Sequence, residues 1–129
     1  MIREDVVRDR LQRSILALAQ PAEIQLSLFP DFVCKPDELA LDFEDGLYEL
    51  VGHEEEITEE QRSAIDALDA LITSMSGKHN SEFWTDDAVR SNPGWESIRG
   101  LAKVVVAAFG WELRPPPSTD AIYIPSGGR

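Results

Sequence analysis

The sequence predicts a mostly α-helical chain: a compact bundle of about five helices, with a short extended segment near 24–29 and a small C-terminal hairpin. Three observations predict it. Apolar residues recur at helical spacing through most of the long segments. Capping residues stand at segment starts, at Thr58, Thr85 and Asn92. Helix-stopping residues stand at the ends, at Pro21, Gly52, Gly77 and Gly110.

The first helix spans about residues 2–20. Val6, Val7, Leu11, Ile15, Leu16, Leu18 and Ala19 give it one apolar face, and its arginines lie mostly elsewhere. Between Glu23 and Val33 the helical period fails. Ile24, Leu26 and Leu28 alternate, which reads as a short strand or an extended segment on the core, with Pro30 limiting any strand. The second helix runs from about Pro36 to Val51 on Leu39, Phe43, Leu47 and Leu50. Gly46 inside it costs about 1 kcal/mol relative to alanine.

Thr58 and Gln61 form a capping box at the start of the third helix. Ala64, Ile65, Leu68, Leu71, Ile72 and Met75 mark its buried stripe, and His79 to Phe83 reads as a loop. Thr85 caps a short fourth helix, Asp86 to Ser91, with Trp84 and Val89 spaced as a hydrophobic staple. Asn92 and Pro93 open the fifth. It is apolar on nearly every side, from Trp95 to Phe109, which places it centrally; Gly100 would admit a close neighbour. Residues 1–113 thus form one helical domain, and 114–129 a Pro-rich tail. In that tail Ala121 to Ile124 can pair with Trp111 to Leu113 as a hairpin, or the tail is loosely ordered.

A chain of 129 residues is the size of one domain. It buries roughly two-thirds of its unfolded surface, so it needs no disulfide or metal staple. Cys34 is the only cysteine, and no signal peptide or membrane-length apolar run is visible. These features fit a cytoplasmic protein.

Charge is the most uneven property of the chain. Residues 22–69 hold fifteen Asp and Glu against Lys35 and Arg62, a net of −13. Residues 1–21 carry +1 and residues 70–129 are neutral. So concentrated a field repels nucleic acid and anionic membranes and attracts cationic proteins. In the second helix Glu38, Asp42, Asp45 and Glu49 follow steps of four, three and four, so they line one face. Glu54, Glu55 and Glu56 follow it, and Glu59, Asp66 and Asp69 lie off the apolar stripe of the third helix. These ten carboxylates are the candidate partner-binding residues. The plainer reading is a soluble acidic surface, with some carboxylates paired to Arg99 or Lys103. Because the helix-two acids lie off the apolar stripe, reversing Asp42, Asp45 and Glu49 to lysine is expected to slow association and spare folding.

Catalytic and metal chemistry find little support. His53 to Glu56 offers ligand types, but neighbouring residues cannot all face one ion, and no metal-site spacing occurs. No phosphate-binding glycine loop or nucleophile elbow is present. Cys34 lacks a nucleophile context and reads as a buried small hydrophobe. No cofactor and no catalytic residue is expected. Trp84, Trp95 and Trp111 read as core, with Trp84 an interface anchor if its staple is loose.

Residues 22–111 resemble the small acidic immunity proteins of bacterial toxin–immunity systems, including contact-dependent inhibition. The likeness lies in the acidic segment Leu41 to Leu47, in Trp84 to Val89, and in Pro93 to Ala102. It implies a non-catalytic protein that binds and neutralises a cognate toxin domain. The alternatives are a phage- or plasmid-type nucleic-acid mimic, and an adaptor whose acidity serves solubility. The oligomeric state is left open.

Overall fold

The computed structural model describes residues 2–116, with side chains from Asp9 onward. Six α-helices make up most of it: α1 (Ile2–Leu18), α2 (Ala22–Ser27), α3 (Lys35–Leu50), α4 (Glu59–Ser74), α5 (Asp86–Ser91) and α6 (Pro93–Phe109). Two short 3₁₀ helices, Glu54–Glu56 and Lys78–Phe83, join them. The described residues contain no strand.

Two long helix pairs form the frame. In the first, α1 lies along α3, and in the second α4 lies along α6. A contact between α1 and α6 joins the pairs. The α1–α3 pair is antiparallel, since Arg10 reaches Asp45 and Glu49 while Arg13 acts on Asp42. The α4–α6 pair is antiparallel too: Gln61 Nε2, near the start of α4, donates to the Ala108 carbonyl at the end of α6 (3.3 Å). Gly46 explains itself here. A Cβ on it would stand 2.8 Å from the Leu11 Cα. The helix-propensity penalty is therefore the condition for α1 and α3 to pack this closely. Gly100 is the opposite case: a Cβ there meets nothing within 4 Å, so it admits no close neighbour.

The helix starts follow their local signals. Thr58 Oγ1 accepts from the Gln61 N–H (3.0 Å) and Gln61 Oε1 from the Thr58 N–H (2.9 Å), completing the capping box. Thr85 Oγ1 accepts from Ala88 N–H, and Asn92 Oδ1 from Gly94 N–H. Helices α5 and α6 keep their predicted bounds. Helix α6 packs on α1, α4 and α5, but its outer side is open, with Val104 53% exposed beside a fully buried Val105.

Three local expectations are corrected. The segment near 24–29 is helical through Ser27, not extended. Pro21 stands at its N-cap, and Gln25, not an apolar residue, takes the innermost position. Its Nε2 donates to the Ala17 and Leu18 carbonyls (3.2 and 2.9 Å) at the end of α1, where the Ala17 carbonyl also accepts from the Gln20 N–H (3.2 Å). Its Oε1 accepts from Arg99 Nη1 (2.9 Å), which also donates to the Val89 carbonyl. This buried network ties α1, α2, α5 and α6 together. The second correction is the loop at 79–83, which is the 3₁₀ helix Lys78–Phe83, kinked at Asn80 and closed by buried Phe83. The third concerns the tail. Trp111 to Leu113 form no strand, and Trp111 stacks on Phe109 at 4.4 Å. The proposed pairing partner, Ala121 to Ile124, lies outside the described residues.

Candidate protein-binding surface

The predicted acidic stripe of α3 is real as a row, but apart from the exposed Asp45 its members are only partly open to solvent. It occupies the flank of α3 beside α1. Arg10 Nε lies 3.1 Å from Glu49 Oε2, and Arg10 Nη1 lies 3.6 Å from Asp45 Oδ2. Asp42 is half-buried there. Burial first, then the neighbouring charges of Glu38 and Asp45, push its carboxyl up to about 6, against the pull of Arg10 and Arg13. For Asp45 and Glu49 the pairing expected with Arg99 or Lys103 is made instead by Arg10 of α1. Arg99 is buried and salt-bridged to Glu96 (3.1 Å). Reversing Asp42, Asp45 and Glu49 to lysine would bring three cations against Arg10 and Arg13. That change is therefore expected to cost folding stability, contrary to the expectation from helical spacing.

The raised Asp42 carboxyl has a consequence for stability. Folding moves it from an ordinary 3.8 up to about 6. The folded state then binds its proton more tightly than the unfolded state does. Ionisation of Asp42 opposes folding above about pH 6, and that opposition fades as pH falls toward 3.8. Asp42→Asn should therefore stabilise the protein at pH 7 by about 1 kcal/mol, after discounting for solvent screening. The gain should shrink toward zero near pH 4. Urea unfolding at the two pH values measures it. A loss of stability at pH 7 would mean that attraction to Arg10 and Arg13 outweighs burial.

The remaining carboxylates sit in the 3₁₀ turn Glu54–Glu56 and on α4. Glu54 Oε1 accepts from the Gly52 N–H (3.0 Å), and backbone N–H groups hold its carboxyl below the usual range. Glu56 Oε2 lies 2.9 Å from His53 Nδ1. Glu55 is exposed, and Glu59 is exposed in the first turn of α4. Asp66 is exposed beside α3, and Asp69 is half-buried. Asp69 meets Glu44, a residue outside the predicted set. Burial first, then the Asp69 charge and a hydrogen bond with it, push the Glu44 carboxyl up. The ten predicted residues thus divide between the flank of α3 beside α1 and the separate segment of the turn and α4, and do not share one face.

Between the flank bearing Glu44 and helix α4 lies a recess of about 160 Å³ that opens to solvent. Leu47, Leu50, Ile57 and Ile65 line it, with Val51 at its lip. Glu54, Arg62 and Asp66 stand around it. On this side α3 and its C-cap expose three large apolar side chains: Leu41 (54%), Tyr48 (80%) and, at the C-cap, Val51 (66%). With Glu44 they follow steps of three, four and three, one outward strip of the helix. These apolar residues are the part of the surface that the charge-based reading missed. Their signal was present, since Leu41 and Tyr48 fall off the buried stripe of Leu39, Phe43 and Leu50.

Other candidates resolve into structure. Trp84 is no loose anchor. Its Nε1 donates to the Met75 carbonyl (2.9 Å), and its ring meets Phe83 and Trp95 edge-on. Cys34, expected as a buried hydrophobe, is exposed at the N-cap of α3. Its Sγ approaches the Trp84 carbonyl at 3.7 Å, and desolvation pushes its thiol up, which disfavours the thiolate. Among the described residues no group of three or more His, Cys, Asp or Glu is arranged to hold a metal ion. No helix among them is long and apolar enough to cross a membrane. Comparison with protein-family models, curated proteins and solved structures finds no match to this chain.

Proposed function

We propose that this chain is a non-catalytic acidic binding protein that neutralises a cationic, nuclease-like toxin domain, as an immunity protein does. One observation carries the reading. The segment with a net charge of −13 also presents a large aromatic side chain, Tyr48, at 80% exposure. Acidic residues give long-range attraction and a fast encounter with a cationic surface. Tyrosine is among the residues most often found as the energetic anchor of an interface. Solubility alone asks for the charge but not for the exposed aromatic ring. Enzymes that cleave nucleic acid hold the phosphate backbone with cationic surfaces, which an acidic inhibitor can cover.

A nucleic-acid mimic has less support. Such a protein depends on an unbroken row of anionic groups, and Arg10 interrupts the longest row on α3.

The reading is tested by rescue. Each open reading frame flanking the gene is expressed inducibly, with and without this chain. One product should arrest growth, carry a basic surface, co-purify with this chain and lose its toxicity in its presence. If no flanking product binds, or binding leaves toxicity untouched, the reading fails.

A further inference from the structure

The recess between α3 and α4 has features that charge recognition does not require. Its lining joins aliphatic side chains, Leu47 and Leu50 from α3, Ile57 from the turn and Ile65 from α4, to the charged Glu54, Arg62 and Asp66. Its volume of about 160 Å³ is on the scale of an apolar cavity that accepts a benzene-sized group. Around its mouth the charge is lopsided. Glu54 and Asp66 stand at the edge, with Glu44, Glu55 and Asp69 on the adjoining segments, against the one cation Arg62. An apolar recess in an anionic rim is complementary to an apolar side chain flanked by cations.

We infer that this recess seats one aliphatic side chain of the partner, carried on a basic segment with Lys or Arg on both sides of it. The inference rests on the proposed function and adds what the partner must present. The rim draws in the basic residues, and the recess rewards the apolar residue between them. Tyr48 and Val51 then pack against the segment from the α3 side. The chain's own C-terminal end is the competing occupant, because α6 ends beside the start of α4. That end carries Ile122 and Ile124, but its charges are Asp120 and Arg129, a net of zero over 117–129. An anionic rim does not select such a segment.

The test uses the full chain, methyl-labelled for NMR, and two synthetic peptides, Gly-Lys-Lys-Leu-Lys-Lys-Gly and its analogue with Gly in place of Leu. At low salt both peptides should bind. The Leu peptide should bind about tenfold tighter, as burial of one aliphatic side chain predicts. It alone should shift the methyl resonances of Leu47, Val51, Ile57 and Ile65. Val51→Ser, at an exposed lip position, should reduce that preference. Equal affinities with unmoved methyls would overturn the recess as a seat and leave acidic recognition standing. If neither peptide binds, the proposed function loses its electrostatic basis as well. If Ile122→Ser with Ile124→Ser shifts the same methyls in the free protein, the chain's own end occupies the recess and the inference is wrong.

Discussion

Val105→Asp should leave the chain largely unfolded at room temperature. Val105 is completely buried on the face of α6 that packs against its neighbours. The buried cation of the same helix, Arg99, is already engaged by Gln25, Val89 and Glu96. An unpaired buried charge costs several kcal/mol, against a total stability of about 5–15 kcal/mol for a domain of this kind. The adjacent position is the internal control. Val104 is 53% exposed, so Val104→Asp should change stability by about 0.5 kcal/mol or less. Circular dichroism and urea unfolding of both variants measure the contrast. Similar losses at the two positions would mean that α6 is turned differently from the arrangement described.

Trp95→Ala should be the most damaging truncation in the molecule. The side chain is 1% exposed, stacks on Phe83 at 5.1 Å and meets Trp84 edge-on at 5.8 Å. Its Nε1 donates to the Phe83 carbonyl (2.8 Å), which holds the 3₁₀ helix against α6. Truncation removes the ring, leaves a cavity and strands that carbonyl. The expected loss is about 3–5 kcal/mol. Trp95→Phe keeps a ring but not the donor, and should cost about 1–3 kcal/mol. Urea midpoints measure both, and near-ultraviolet circular dichroism should show the aromatic cluster dispersed in the alanine variant only. Equal effects would make the hydrogen bond, not the stacked ring, the main contribution.

The legible parts of the fold were those encoded within a few residues. Thr58 with Gln61, Thr85, and Asn92 with Pro93 place helix starts through contacts two or three residues long, so sequence order alone reveals them. Helix α2 was hidden because its organising residue is polar. Gln25 is buried to serve the end of α1 and Arg99, 74 positions away. A hydrophobic period does not register such a residue, and the alternation of Ile24, Leu26 and Leu28 then suggested the wrong geometry. Gly46 was visible only as a penalty, since its benefit depends on Leu11 arriving from another helix.

The candidate surface divides in the same way. That the middle third is acidic is a property of composition. That Glu38, Asp42, Asp45 and Glu49 form a row follows from helical spacing. Which flank of α3 lies against α1 is a tertiary fact, and it turns that row toward Arg10 and Arg13. The surface left for a partner is the opposite flank, with Glu44, Tyr48 and Val51, together with the acids of the turn and α4.

Association kinetics with the flanking gene product that the rescue experiment identifies as the toxin test the central claim most directly. The variant is Glu55→Lys with Glu59→Lys and Asp66→Lys, three exposed positions away from Arg10 and Arg13. Rates are taken at low and moderate salt. The native chain should associate quickly at low salt and slow steeply as salt rises. The variant should be folded, associate about tenfold or more slowly at low salt, and respond weakly to salt. A folded variant that associates at the native rate would contradict the claim and leave the acidity of residues 22–69 without a part in recognition.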